Sequence, residues 1–168
     1  MNKQYQGLKN RAAGKAFEDR IQMAFDYCEK IGIAKIDKTP EPFRIIQRQE
    51  GGRFVGVFSH KAQPDYKGVI AGGRTVMFEA KYTSTDRIRQ EAVTAEQANY
   101  LTKMASLGAW CFVICGFSSG SAFKIPWEIW KDMQDFFGHK YVMEKDLEPY
   151  TIKFSRNGIL EIISERRN

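Results

Sequence analysis

Pro64-Asp65-Tyr66-Lys67-Gly68-Val69-Ile70-Ala71-Gly72-Gly73-Arg74-Thr75-Val76-Met77-Phe78-Glu79-Ala80-Lys81 is the stretch on which the reading of this chain turns. Two apolar-rich runs flank Gly72-Gly73, a pair that supports the positive φ angles of a tight hairpin. The pairing predicts two antiparallel strands, with Asp65 at the start of the first and Glu79 to Lys81 near the end of the second. Side chains alternate along a strand, so Glu79 and Lys81 share one side while Val76, Phe78 and Ala80 face a core on the other. Folding the ribbon back therefore brings two carboxylates and an ammonium together. Hard oxygen ligands of this kind suit magnesium or manganese rather than zinc. A divalent ion beside a fixed positive charge suits phosphodiester hydrolysis. A turn aspartate and a Glu-x-Lys on a solvated strand also occur in inactive proteins, so the rest of the chain has to carry part of the argument.

A length of 168 residues suits one domain with one core, and 43% hydrophobic and 13% aromatic residues, 12 of them Phe, suffice to fill it. The formal net charge of +6 favours a polyanionic partner. Cys28, Cys111 and Cys115 form no CxxC or Cys/His cluster, which argues against zinc and for buried thiols in a reducing compartment; a cytoplasmic, nucleoid-associated location is expected. No signal peptide, membrane-spanning run or internal repeat is visible, and no membrane partner is expected.

Outward from the hairpin, residues 1–13 read as a mobile basic arm that includes Lys3, Lys9 and Arg11. A helix is predicted over 14–31, with Phe17, Ile21, Ala24, Phe25, Cys28 and Ile31 as its buried stripe. Glu18 lies at the edge of that stripe, either as a solvated boundary residue or as an extra carboxylate for the metal site. Residues 33–36 are a short strand. Residues 43–63 read as a long hairpin, in which Arg44, Ile46 and Arg48 share a face and Arg53, His60 and Lys61 add charge. Such a basic hairpin, with Phe54 and Phe58 for stacking, suits nucleic acid, although basic residues also protect an ordinary edge hairpin from aggregation.

Residues 82–91 form a polar loop. Thr94 opens a helix ending near Leu107. Gln97 fits a capping box on Thr94, and the same side chain is a candidate to orient a phosphate or water. Buried strands are expected at 109–116 and 122–125, a helix at 127–137 and a terminal hairpin around Asn157-Gly158. The order defines an α/β or α+β domain over 1–168, a mixed sheet flanked by helices with a protruding β-hairpin stalk. Restriction-endonuclease-like proteins use this architecture.

With these residues placed, the chain resembles the RecU-type Holliday junction resolvases from about Asn10 to Trp127. Asn10-Arg11 before a helix carrying Glu18 is similar to that family's opening. Lys38-Thr39-Pro40-Glu41-Pro42 resembles its turn into the stalk, and Pro64-Asp65-Tyr66-Lys67-Gly68 its Asp-Tyr-x-Gly segment. Phe78-Glu79-Ala80-Lys81 matches its core motif, and Gln97 falls where the family has a glutamine. Gln63 and Pro64 replace the threonines usual before the aspartate, and Tyr82 replaces a glutamate. The resemblance implies a homodimer that nicks opposed strands of a four-way DNA junction with Mg2+ or Mn2+, working with recombination proteins. It implies Asp65, Glu79, the Ala80 carbonyl and Glu18 as metal ligands, with Lys81 and Gln97 completing the catalytic set. DNA contacts are expected from Arg11, Lys38, Arg44, Arg48, Arg53, Phe54, Phe58 and Lys61. An endonuclease acting on duplex, flap or damaged DNA is the alternative, as is a non-catalytic DNA-binding recombination module.

Overall fold

The computed structural model of the chain describes residues 3–40, 42–58 and 63–163. Helix α1 (Lys3–Lys30) leads into β1 (Ala34–Lys38), and a hairpin of β2 (Phe43–Arg48) and β3 (Phe54–Phe58) follows. Strands β4 (Tyr66–Ile70) and β5 (Thr75–Thr83) form the hairpin expected from the sequence, and a short β6 (Ile88–Arg89) comes next. Helix α2 (Ala95–Ser106) precedes β7 (Trp110–Phe117) and β8 (Ala122–Pro126). Two short helices, α3 (Trp127–Lys131) and α4 (Met133–Phe137), lead to β9 (Tyr141–Val142).

The central sheet has the order β1-β4-β5-β7-β8. Its pairs are antiparallel except β5–β7, which is parallel. A parallel pair needs a crossover, and α2 supplies it. Gly72 and Gly73 close the β4–β5 hairpin with φ of 92° and 85°, conformations a Cβ would oppose.

Alternation along β5 and β7 sorts the core into two layers. Val76 and Phe78, with Phe112 and Ile114, face α1, where Phe17, Ile21, Ala24 and Phe25 are buried against them. Each of these large side chains contributes roughly 1.5–3 kcal/mol by leaving water. Met77, Cys111, Val113 and Cys115 face the other way, into a layer with Leu101, Trp127, Trp130 and Met133. The rings of Tyr66, Phe78 and Phe112 stack across β4, β5 and β7 with centroids 4.7 and 4.9 Å apart. All three cysteines are free and buried.

Several expectations change. Residues 3–13 are not a separate arm but the first turns of α1, which runs unbroken from Lys3. Its N-terminal part is tied to the loop after β5, where Ser84 Oγ donates to Asn10 Oδ1 at 3.0 Å. Ile31 lies past the end of α1 and is exposed, so it is not part of the buried stripe. The expected helix over 127–137 breaks at Asp132, and among the described residues the two arms of the expected tail hairpin meet at an isolated bridge, Phe154↔Leu160, rather than as paired strands. The polar loop at 82–91 contains the end of β5 and all of β6.

The stalk is present as a separate two-stranded sheet in which every side chain from Phe43 to Val55 is exposed. Its register shifts between Ile45 and Gln47, which places Arg44 opposite Val57 and Arg48 opposite Phe54. Val57 and Phe54 are three apart on one strand and so point to opposite faces. Arg44 and Arg48 therefore do not share a face, because the bulge inserts a residue that reverses the alternation. Among the described residues, no helix is long and apolar enough to cross a membrane.

Candidate active site

Glu79 sits on the α2 side of β5 and is fully buried, an unusual place for a carboxylate. Two donors hold its Oε2. Lys81, two residues along on the same face, donates from Nζ at 2.9 Å, and Gln97 donates from Nε2 at 2.8 Å. Oε1 is buried and has no hydrogen-bond partner among the described residues. Asp65 stands where the β4–β5 ladder would continue past Tyr66 and Phe78. There its Oδ2 accepts the Ala80 N–H at 3.1 Å. Lys81 Nζ lies 3.6 Å from the same Oδ2, so one ammonium spans both carboxylates.

The electrostatics follow from burial. Desolvation pushes the Glu79 carboxyl up to about 8, with Lys81 opposing that rise and Asp65 adding to it. Burial pulls Lys81 down, but the two carboxylates outweigh it and hold the ammonium above its ordinary value. The centre therefore gathers two carboxyl groups and one ammonium around a buried oxygen that has no partner among the described residues. That is a costly arrangement without a cation, and it fits a divalent ion better than it fits a purely structural role. The donors are all hard oxygens, as such an ion requires. The Ala80 carbonyl leaves β5 on the same edge as its N–H, so a backbone oxygen is available on the Asp65 side.

Gln97 forms the capping box expected from its position and also reaches the buried carboxylate. Its Oε1 accepts the Thr94 N–H at 3.0 Å and its backbone N–H donates to Thr94 Oγ1 at 3.3 Å, closing the capping box, while its Nε2 reaches Glu79. The amide has two ends, and the two jobs use different ones.

Glu18 does not join this group. Phe17 beside it packs on the opposite face of the sheet, and the Glu18 carboxylate bonds Lys38 Nζ at 2.5 Å. Among the described residues, no three or more His, Cys, Asp or Glu side chains converge where they could hold an ion. Glu18 as a direct third carboxylate is thus corrected, and Lys38 is engaged by it rather than standing free. Arg11 is exposed on α1, its Nε donating to the Gly7 carbonyl at 3.4 Å. Arg44, Arg48 and Arg53 are exposed on the stalk. Phe54 is exposed there too, edge-on to Phe43 with centroids 5.4 Å apart. The side chain of Phe58, together with Lys61 and His60, lies outside the described residues.

A cleft of about 660 Å³ opens beside the centre, lined by Ala80, Lys81, Thr83, Thr85, Arg87 and Arg89 among others. Sequence reasoning passed over the last four as a polar loop. The signal available was Arg87-x-Arg89, two cations at strand spacing shortly after the Glu-x-Lys strand.

A mixed five-stranded sheet between helices, with this acidic and basic cluster at the end of its central hairpin, defines the restriction-endonuclease-like fold class. The fold is similar to that of Hjc, a Holliday junction resolvase from the archaeal hyperthermophile Archaeoglobus fulgidus. The TM-score is 0.50 at 13% identity, covering 79% of this chain and 93% of that one. The chain belongs to the RecU family, since the family described as Recombination protein U matches residues 12–164. Among curated proteins named Holliday junction resolvase RecU, that of Geobacillus kaustophilus HTA426 is 30% identical over 132 residues, 69% of this chain. That of Streptococcus pneumoniae Hungary19A-6 is 31% identical over 112 residues, 63% of this chain. The matched stretches span 66% and 56% of those relatives' own lengths. The resemblance drawn from Asp65, Glu79-Ala80-Lys81 and Gln97 is borne out at the level of family and fold.

Proposed function

We propose that this chain is a divalent-metal-dependent endonuclease that resolves four-way DNA junctions as a homodimer, one cut per protomer. The observation that carries the reading is the buried Glu79 Oε1, next to Asp65 and Lys81 and without a partner among the described residues. Family membership and the names of the relatives support it.

Asp65, Glu79 and the Ala80 carbonyl would hold Mg2+ or Mn2+, and Glu18 stays outside this set. When bound, the ion supplies Lewis acidity toward a phosphate oxygen and toward water. The remaining work belongs to the chain. The Ala80 N–H fixes the Asp65 carboxylate, and the Gln97 amide fixes that of Glu79. Lys81, relieved of neutralising two carboxylates by itself, turns its charge to the scissile phosphate, where negative charge grows in the transition state. Arg44, Arg48 and Arg53 on the stalk contact phosphates at the junction, with Phe54 available to stack on an open base.

The test is cleavage of an end-labelled four-way junction against a linear duplex of the same sequence, with magnesium, manganese or chelator. Paired symmetric nicks that require metal are expected. Asp65→Asn, Glu79→Gln and Lys81→Ala should each lower the rate by about two to three powers of ten while junction binding persists. Full-rate cleavage by Glu79→Gln would refute the assigned centre, and equal cutting of duplex would favour the broader endonuclease.

A further inference from the structure

We propose that Arg87 forms a second phosphate subsite, which takes the backbone of the DNA strand running through the cleft beside Lys81. The idea deepens the function proposed above and rests on that reading for the identity of the strand. Lys81 and Arg87 line the same cleft of about 660 Å³. That is the size of a pocket for one compact ligand, which suits part of a single strand rather than a whole duplex. A strand with its scissile phosphate at Lys81 has to continue through adjoining space, and this cleft lines that space with Lys81, Arg87 and Arg89 against Asp86 and Glu91.

Arg87 is prepared for that task in a way its neighbour Arg89 is not. Strands β6 and β9 pair with Arg89 opposite Tyr141, and this register lays the Arg87 guanidinium over the Tyr141 ring at 4.7 Å. The Tyr141 ring is itself stacked on His139, with centroids 3.9 Å apart and planes 5° from parallel, and His139 stacks in turn toward Phe137. His139 Nδ1 lies 2.7 Å from the Tyr141 carbonyl, which anchors the stack. An arginine pressed on an aromatic face has already given up much of its rotational freedom, so less is lost when it binds. Arg89 has no such platform among the described residues and is 73% exposed, paired with Glu91 at 3.3 Å.

In the free protein the Arg87 fork is occupied by Asp86, with Nη2 at 2.8 Å from Oδ2 and Nε at 3.1 Å from Oδ1. Both partners are substantially exposed, at 44% and 64%, and an exposed pair between sequence neighbours contributes little. A phosphate presents the same planar pair of acceptors and can replace it. Asp86 thus keeps the subsite neutral until a polyanion arrives.

The experiment measures binding of a fluorescently labelled four-way junction to the full chain in chelator, by anisotropy across a salt series. Arg87→Ala should lower affinity by about tenfold and reduce the salt slope by about 0.9, the value for one phosphate contact. Asp86→Asn should act in the opposite direction. Tyr141→Leu keeps the cation but removes its platform, and should fall between Arg87→Ala and wild type. In cleavage, Arg87→Ala should raise KM more than it lowers kcat, and the melting shift produced by magnesium should match wild type. Wild-type affinity and slope in Arg87→Ala would overturn the subsite. If wild type binds with this Arg87 dependence yet cuts no junction under any metal, the subsite stands and the nuclease reading falls.

Discussion

Gln97 donates its side-chain amide to Glu79 at 2.8 Å while the other end of the same amide caps its own helix on Thr94. The start of α2 and the middle of β5 are thereby tied through one side chain. The orientation of the buried carboxylate depends on where the helix begins, and the helix start depends on the same residue. The helix cap and the orientation of the Glu79 carboxylate are coupled at this position.

Gln97→Ala should lower both. Losing the reciprocal cap costs about 1 kcal/mol. A second loss comes from leaving Glu79 with one donor fewer, about 1–3 kcal/mol for a buried polar group. Urea unfolding should show a fall in the midpoint with an unchanged slope. Initial cleavage rates should drop further than the stability loss can explain. A variant with normal rates would show that the contact with Glu79 serves the fold alone.

The buried carboxyl also makes a pH prediction. In the folded chain Glu79 keeps its proton up to about 8, whereas its ordinary value is 4.5. Between those values the folded state binds more protons than the unfolded state, so stability falls as pH rises. In chelator, the melting temperature should decline from about pH 5 toward pH 8 through this group, and Glu79→Gln should flatten that part of the profile. Magnesium binding needs the carboxylate form, so its stabilising effect should be larger at pH 8 than at pH 6. A metal effect that is independent of pH would remove Glu79 from the ligand set.

The stalk arginines separate by face. Arg44→Ala and Arg53→Ala should each reduce the salt slope of junction binding by about 0.9. Because the bulge turns Arg44 and Arg48 to opposite faces, Arg44→Ala and Arg48→Ala should protect different positions in a DNA footprint. Identical footprints would show that one face alone meets the DNA.

Phe78 stands in the middle of the ring stack between Tyr66 and Phe112. Phe78→Ala should destabilise the fold by about 3–5 kcal/mol, read by chemical denaturation. Phe78→Leu should recover most of that loss and keep the metal-induced melting shift, since the neighbouring Glu79 faces the other side of the strand. Loss of that shift in a folded Phe78→Leu chain would mean that the aromatic stack itself positions the carboxylate.

Local sequence determined a large part of this protein. The Gly72-Gly73 turn, the alternation from Val76 to Lys81 and the Thr94–Gln97 box are short-range patterns. Each is dictated by backbone sterics or by side chains a few residues apart, and each is legible in a single stretch. Asp65, Glu79 and Lys81 could be brought together on paper because one tight hairpin joins them. Tertiary structure decided the rest. Glu18 was an open choice in the sequence, and only the packing of α1 on the far face of the sheet turned its carboxylate to Lys38. The faces of Arg44 and Arg48 depended on a bulge that pairing creates and neither strand encodes by itself. Arg87 acquired its platform from Tyr141, 54 residues downstream, through the β6–β9 pairing. Periodicity reports which side of an element is buried. It carries no information on which distant element does the burying, because that choice is made by the packing of the whole chain.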